Sequence, residues 1–227
     1  MMSNIFLSHT INEITPSYGG GTSLCIDHIK DIKEGDSCNT QLWQLPNHLG
    51  THVDAPRHFS EFGLTIDQYS PDFWLCKSPH IIELSEISPK EIITPNHFFN
   101  FSIPQNIDLL LIKTGFGAYR QDNRYIYENP GFAPELADYL REHFSDLKML
   151  GFDIISLTSF AFRDVGRLTH KQFLARESPI LPIEDMDLSN ICNETLLRSV
   201  LISPLRIDNA DAAPCTVFAE LQDEKVV

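Results

Sequence analysis

The sequence predicts a mixed α/β fold. Two apolar runs, residues 107–113 and 147–156, are typical of buried strands, and residues 134–144 have the i, i+3, i+4, i+7 spacing of an amphipathic helix. Strands and helices alternate irregularly along the chain, which favours a mixed sheet over a purely parallel, doubly wound one. With 42% hydrophobic residues, the 227-residue chain can build a substantial core. We predict one domain spanning residues 1–227.

The first third of the chain leads to a histidine-rich segment. Residues 26–32 and 39–45 are predicted strands joined by the polar turn Glu34-Gly35-Asp36, and the second strand ends just before His48. A short helix is predicted to begin near Ile66, within residues 65–74. Residues 80–84 form a further apolar run that is typical of a strand.

The remaining elements alternate between short helices and strands. Thr94 and Pro95 are typical of a helix start, with threonine as the N-cap. Helices are predicted for residues 134–144 and 166–177, the second carrying His170, and residues 119–129 are predicted to form a loop. Closing strands are predicted for residues 179–183, 197–205 and 214–221.

The charge pattern excludes several classes of partner. A net charge of -14 and a pI near 4.9 argue against binding to nucleic acid or to an anionic membrane surface. No apolar run reaches the length of a membrane span, and the N-terminal residues lack the features of a signal peptide, so we expect a cytoplasmic protein. The five cysteines are scattered, without a C-x-x-C motif, and are expected to be reduced thiols in the core.

Residues 48–58 contain the strongest chemical signal in the sequence. His48, His52, Asp54 and His58 fall within this short stretch. Imidazole nitrogen and carboxylate oxygen together suit zinc, manganese or iron(II), whereas calcium and magnesium prefer oxygen ligands. The density of these side chains therefore predicts a metal site, although each histidine alone could be a buried, hydrogen-bonded core residue.

The spacing of these residues fits neither a regular strand nor a helix. A strand rises about 3.3 Å per residue, which would leave the Cα atoms of His48 and His52 roughly 13 Å apart. A helix would bring these two together but would rotate Asp54 away from their face. Gly50 supplies backbone freedom and Pro56 excludes a helix interior, so we predict a curved turn or strand end.

Two common hydrolase classes do not fit the sequence. The residue after His48 is leucine, so the His-Glu-x-x-His motif of zincins is missing. A Gly-x-Ser-x-Gly nucleophile elbow is also missing. A metal-dependent reaction such as dehydration or isomerisation, and a metal- or ligand-binding protein without turnover, stay open as alternatives.

The pattern His48-x-Gly-Thr-His52-x-Asp54-x-Pro56-x-His58 resembles the signature of the cyclase-like metal-dependent amidohydrolases, the family of bacterial kynurenine formamidase and isatin hydrolase. Further similarities are an Asp-x-x-Ser pattern at Asp153 and Ser156, a distal His170 followed by Glu184, and the later Asp-Ala-Ala-Pro segment. Two departures from the family are the long gap between His170 and Glu184, which makes Glu177 a rival ligand, and Cys215-Thr216 where a basic residue is usual.

The resemblance implies a swivelling β/β/α fold, at least a homodimer, and one or two divalent metals, Zn²⁺ or Mn²⁺, per site. It implies that His48, His52 and Asp54 hold a first metal, and that Asp54, His170 and Glu184 hold a second. His58 would be the catalytic acid and base, since an imidazole near neutral pKa can accept a proton from water and return it to a leaving amine.

The implied reaction is hydrolysis of an amide-type C–N bond in a small molecule, such as an N-formyl arylamine, as in kynurenine formamidase, or a cyclic, isatin-like amide. Tyr18 and Phe59 are candidates to stack on an aromatic substrate. Asp153 and Ser156 are candidates either to support the metal loop by hydrogen bonds or to contact substrate.

Overall fold

The computed structural model describes residues 4–84 and 87–222. Within them, one large sheet and two small sheets account for the strands. In chain order the strands are β1 (Asn4–Phe6), β2 (Cys25–Lys30), β3 (Thr40–Gln44), β4 (His52–Asp54), β5 (Leu75–Cys76), β6 (Pro79–Glu83), β7 (Ile92–Ile93), β8 (Leu109–Lys113), β9 (Gly131–Phe132), β10 (Met149–Phe152), β11 (Leu181–Glu184), β12 (Leu197–Pro204) and β13 (Ala212–Leu221).

The large sheet has the order β5-β12-β13-β4-β11-β10-β8-β6, with β1 paired to β13 beside this path. The pairs β6–β8, β8–β10 and β10–β11 are parallel. The pairs β11–β4, β4–β13, β13–β12 and β12–β5 are antiparallel. The short strand β4 therefore lies where the parallel and antiparallel halves of the sheet meet, with β11 on one side and β13 on the other.

The predicted strands are present in the described residues. The run predicted over residues 107–113 contains β8. The run predicted over 147–156 contains β10, which is shorter than predicted and ends at Phe152. Both strands are almost wholly buried, as expected for parallel strands covered on both faces. The six other predicted strands have ends shifted by at most two residues.

The α-helices are α1 (Asn123–Tyr127), α2 (Glu135–His143) and α3 (Arg163–Leu174). Helix α2 follows Pro134 at its N-cap and buries Leu136 and Leu140, as its apolar spacing predicts. Helix α3 begins three residues before the predicted position and ends at Leu174. In the part of the chain that is described, no helix combines the length and the apolar character that crossing a membrane requires.

A close approach at Gly166 sets the position of α3. A side chain at this position would overlap Thr158, so the absence of a Cβ lets the helix lie against the segment that follows β10. The same helix carries His170, one turn further on, toward the end of the sheet.

Three local predictions need correction or refinement. The predicted loop over residues 119–129 contains α1, because the Asp122 carboxylate accepts a hydrogen bond from the backbone NH of Arg124 and caps the helix. The helix predicted within 65–74 is instead two 3₁₀ turns, Ile66–Gln68 and Pro71–Trp74. The start at Thr94 is confirmed, and it opens the short 3₁₀ turn Pro95–Phe98.

Strands β2 and β3 form a hairpin that stands apart from the large sheet and exposes most of its residues. The expectation that all cysteines lie in the core is therefore wrong for Cys25 in this hairpin and for Cys38 beside it, which are exposed. Cys76 and Cys215 are buried and Cys192 is half-buried, and all five are free thiols.

Candidate metal centre

Residues 48–58 form a turn, a strand and a second turn in succession. Gly50 has φ of 67°, a left-handed conformation that favours glycine, and a Cβ there would lie 2.8 Å from the Ile11 side chain. Strand β4 follows, and the 3₁₀ turn Pro56–His58 completes the segment. The prediction of a curved turn and strand end is confirmed, because a turn containing the left-handed Gly50 precedes the three-residue strand and a 3₁₀ turn follows it.

Strand pairing brings Glu184 beside the histidine segment. His52 of β4 lies opposite Glu184 of β11 in the antiparallel register. The His52 Nε2 atom is 3.4 Å from Glu184 Oε2 and 3.5 Å from Asp54 Oδ1. All three side chains are buried, and their candidate ligand atoms lie within 4.8 Å of one another.

These atoms have the spacing and the unmet bonding of a metal site. His52 Nε2 and Asp54 Oδ1 are buried yet form no hydrogen bond. Ligand atoms bound tetrahedrally at about 2.1 Å are separated by roughly 3.4 Å, close to the distances found here. Two buried carboxylates also need compensating positive charge, which a divalent cation would supply when the histidine rings are neutral. The donor set of nitrogen and oxygen atoms therefore fits a divalent transition metal.

The two oxygens of Asp54 face different histidines. Oδ1 lies 3.0 Å from His48 Nδ1, and Oδ2 lies 3.6 Å from His170 Nε2. His170 Nε2 is also 3.6 Å from Glu184 Oε1. A carboxylate in this position has one oxygen available to each of two neighbouring ions, the arrangement that two metals per site would need.

Backbone and hydroxyl groups orient these ligands. His52 Nδ1 lies 2.8 Å from the carbonyl oxygen of Gly50, so its Nε2 points inward. His170 Nδ1 lies 2.9 Å from the carbonyl oxygen of Gly166 and 3.1 Å from Thr158 Oγ1. Such contacts to the outer nitrogen fix the ring and leave the inner nitrogen for a metal.

Glu184 is oriented in the same way by the segment after β10. Its Oε1 accepts hydrogen bonds from the Leu157 backbone NH at 2.7 Å and from Ser156 Oγ at 3.3 Å. Ser156 therefore supports a candidate ligand while also lining the cavity.

His48 and His58 share a second carboxylate, Asp211, at the more open side of the cluster. Asp211 Oδ2 lies 3.0 Å from His58 Nδ1 and 3.3 Å from His48 Nε2. Asn47 donates a hydrogen bond of 2.7 Å to the other oxygen, Oδ1. His48, Asp54 and His58 also offer ligand atoms within 4.8 Å of one another. The side chains whose ligand atoms lie close together thus form two groups, His52-Asp54-Glu184 and His48-Asp54-His58. The resemblance implied two other ligand sets, one with His48, His52 and Asp54 and one with Asp54, His170 and Glu184.

The surroundings of the histidines set opposite pKa shifts. Burial lowers the pKa of His48, but the nearby carboxylates of Asp211 and Asp54 outweigh it and raise the pKa to about 10. Contacts with Asp54 and Glu184 likewise raise the pKa of His170 to about 10 against burial. For His58 burial dominates over the opposing effect of Asp54, and its pKa lies below the usual value of 6.5. His58 is therefore neutral at pH 7.

The cluster forms the floor of a cavity of about 270 Å³. Phe59 lies in its wall and stacks on the His170 ring at 4.7 Å between centroids. Tyr18 also lines the cavity and meets Phe160 edge to face at 5.7 Å. The cavity lining thus combines side chains that can bind a metal with aromatic rings that can contact a substrate. The other lining residues are Ile155, Thr158, Arg163 and Arg167.

Two of the residues considered from sequence lie away from this cavity. The Asp153 carboxylate accepts hydrogen bonds from the Thr114 hydroxyl and backbone NH and from the Gly115 NH, so it ties β10 to the turn after β8. Glu177 is exposed beyond the end of α3 and belongs to neither group of candidate ligands. The structure brings Glu184, not Glu177, to the cluster because β11 pairs with β4.

Sequence reasoning noted the Asp-Ala-Ala-Pro segment but gave its Asp211 no role in the site, and it missed Arg163 and Arg167. Asp211 immediately precedes β13, whose antiparallel register with β4 brings Ala212 opposite Asp54. An acidic residue at the start of a strand was the available signal. The arginines stand seven and three residues before His170, and this helical spacing could have placed all three side chains on one face.

The family model described as "Putative cyclase" matches residues 5–158, which include the whole histidine segment. The chain belongs to this family. Its membership confirms the resemblance drawn from the sequence motif. Cyclase-like protein 3 of Arabidopsis thaliana is 29% identical over 191 residues, covering 81% of this chain. The chain spans 66% of the length of that relative.

Solved structures share the fold of this putative cyclase family member. Isatin hydrolase A from Labrenzia aggregata superposes with a TM-score of 0.81 at 18% identity, over 98% of this chain and 94% of that chain. A potential metal-dependent hydrolase with cyclase activity superposes with a TM-score of 0.77 at 21% identity, over 99% and 100% of the two chains. The expected α/β fold of the cyclase and isatin hydrolase type is confirmed.

Proposed function

We propose that this protein is a metal-dependent hydrolase that cleaves an amide-type C–N bond of a small molecule, with N-formyl arylamines of the kynurenine formamidase type as the first substrate class. The observation that carries the proposal is the convergence of His52 Nε2 and Asp54 Oδ1, buried and without hydrogen bonds, on Glu184 at the floor of the cavity. This unmet bonding supports a bound cation.

The candidate ligands are His48, His52, Asp54, His170 and Glu184, and Zn²⁺ or Mn²⁺ suits their donor atoms. When bound, such a metal supplies a Lewis acid that polarises a carbonyl and makes water more acidic. Four of these ligands, His52, Asp54, His170 and Glu184, are buried, which keeps bulk water from competing for them.

His58 is suited to move the proton. Its Nδ1 faces the Asp211 carboxylate at 3.0 Å, so Nδ1 carries the hydrogen of the neutral ring and Nε2 is left as the base. Its lowered pKa keeps the ring neutral at pH 7. In the proposed reaction Nε2 accepts a proton from the attacking water and then gives it to the departing nitrogen.

The hydrolysis balances with one water molecule. The water oxygen bonds to the carbonyl carbon, the C–N bond breaks, and the nitrogen leaves as an amine with the proton held by His58. An N-formyl arylamine gives formate and the arylamine, whereas a cyclic amide gives a single ring-opened product. The fold shared with isatin hydrolase A supports cyclic amides as the second candidate class.

The proposal is tested by purifying the protein without chelator, measuring bound metal, and assaying N-formylkynurenine and isatin separately. We expect stoichiometric divalent metal, and a loss of roughly 100- to 10,000-fold in kcat for His58→Ala. His143→Ala, at the exposed C-terminal end of α2 and away from the cavity, is the matched control. A native protein without stoichiometric metal would overturn the metal proposal, and full activity of His58→Ala would overturn the role of His58.

We also propose that the protein forms a homodimer or a larger homo-oligomer. The hairpin β2–β3 supports this, because Ile29, Leu42 and Trp43 are 57%, 53% and 63% exposed. Leu42 and Trp43 are consecutive in β3, so the hairpin presents large apolar side chains on both faces, and exposed apolar surface of this kind is typical of protein interfaces. Light scattering should give at least twice the monomer mass, and Trp43→Ser should lower it; a monomer at all concentrations would contradict the proposal.

A further inference from the structure

Helix α3 contributes two arginines and a histidine to the cavity, and the three side chains follow one another along the helix from the mouth of the cavity to its floor. Arg163, Arg167 and His170 are spaced i, i+4, i+7 and share one face of the helix. At about 1.5 Å of rise per residue, the two arginines stand about 10.5 Å and 4.5 Å from His170 along the axis. His170 is buried beside the candidate metal centre, and both arginines line the same cavity.

The arginines have hydrogen-bond donors to spare. No carboxylate among residues 4–84 and 87–222 lies within ion-pair distance of Arg163, whose guanidinium lies 4.8 Å from the centroid of the Phe160 ring. Arg167 pairs with Asp164, but the two side chains are 63% and 96% exposed. An ion pair this exposed is weak and can be exchanged for a ligand.

A third donor faces the same space. The Tyr18 hydroxyl is buried and forms no hydrogen bond of good geometry within the described residues; the Arg163 side chain is close enough to interact with it directly, and Arg167 acts on it through its charge. Burial raises the pKa of Tyr18, so the hydroxyl keeps its proton at neutral pH. A buried hydroxyl without a partner is costly unless a ligand or water completes it.

We propose that Arg163 and Arg167 bind a carboxylate of the substrate, which makes anionic amides the preferred substrate class. This inference rests on the proposed amide hydrolysis at the metal centre below. The planar guanidinium fork matches a carboxylate with two parallel hydrogen bonds, and Tyr18 adds a third donor. Because both arginines precede His170 on α3, by about 4.5 and 10.5 Å along the helix axis, the carboxylate would lie on the outer side of the scissile carbonyl.

The charge of the protein makes this arrangement selective. With a net charge of -14, most of the surface repels an anionic substrate. Two arginines at the mouth of a cavity whose floor holds carboxylates give a local reversal of sign. A metal bound at that floor would add positive charge and would not oppose an anion above it.

The test compares substrates that differ only in charge. The probes are the ortho, meta and para isomers of N-formylaminobenzoic acid and their methyl esters. The variants are Arg163→Gln, Arg167→Gln and the double substitution. Lys171→Gln is the matched control, because it removes one positive charge from an exposed position on the same helix that does not line the cavity.

We expect the native protein to prefer at least one acid over its ester. Each single variant should lose roughly tenfold in kcat/KM on that acid, mainly through KM, and the double variant roughly 100-fold. All of them should keep their activity on the ester within about twofold, as should Lys171→Gln on both probes. Arg163→Lys should retain part of the preference, because a lysine keeps the charge but loses the fork.

Equal rates on acids and esters in the native protein, or a parallel loss on both in the arginine variants, would overturn the carboxylate site while leaving hydrolysis intact. If no probe is cleaved by metal-loaded protein, the proposed function fails instead. In that case the carboxylate site is tested by measuring the binding of the product-like anion anthranilate by calorimetry. An unchanged Kd in the double variant would overturn the proposed carboxylate site, and a tenfold weaker Kd would support it.

Discussion

Replacing Asp211 with asparagine removes the carboxylate that holds His58 but keeps the size of the side chain. Asp211 Oδ2 lies 3.0 Å from His58 Nδ1, so the carboxylate selects the tautomer with hydrogen on Nδ1. An asparagine amide can donate to Nδ1 instead and place the hydrogen on Nε2, where His58 can no longer accept a proton. We therefore expect Asp211→Asn to lower kcat.

The magnitude follows from the exposure of the carboxylate. A fully buried aspartate in the Ser-His-Asp triad is worth about 10,000-fold in kcat. The Asp211 side chain is 37% exposed, so solvent weakens its interaction with the imidazolium formed during turnover. A remaining contribution of about 1.4–2.8 kcal/mol corresponds to a loss of roughly 10- to 100-fold.

The assay is kcat and kcat/KM against pH on the best substrate, with bound metal measured for each sample. Asp211 raises the pKa of His58, so its loss should move the acidic limb of the kcat/KM profile to lower pH. Asp208→Asn, in the same exposed loop, is the control and should match the native protein. Activity of Asp211→Asn within twofold of the native value would refute the reasoning.

Metal binding should release about two protons at pH 8. Contacts with carboxylates raise the pKa of both His48 and His170 to about 10, and a metal requires the neutral rings. Calorimetry in buffers of different ionisation heat measures the number of protons released, and release of less than one proton would contradict the prediction. For the same reason, the stability that these pairs give the metal-free protein is fully present below about pH 6.5 and is lost as pH rises through about 10, which urea unfolding at several pH values checks. Glu184→Gln should weaken metal binding more than about 100-fold, whereas Glu177→Gln should leave it unchanged; equal loss in both would reverse the assignment of the ligand. Gly166→Ala should lower the free energy of unfolding by about 1–3 kcal/mol, since its methyl group would overlap a neighbouring side chain, and a more stable variant would show that the helix has room to shift.

The sequence predicted most of the regular structure for identifiable reasons. The buried strand over residues 107–113 is continuous in apolar residues, and helix α2 has an apolar face, so each could be recognised locally. The loop prediction over 119–129 failed because a single cap at Asp122 starts a five-residue helix with no apolar periodicity. The 3₁₀ turns within 65–74 are also too short to carry a periodic signal.

For the candidate site, the sequence by itself determined the group of ligand types at His48, His52 and Asp54, because they lie close together in the chain. Only the tertiary structure decided which distant carboxylates join them. The antiparallel pairing of β4 with β11 and β13 brings in Glu184 and Asp211, and such register depends on the whole sheet. Spacing along the chain carries no information about which strands will be neighbours. The pairing of these strands is what places the histidine motif at the floor of a cavity, beside the carboxylates that complete the site.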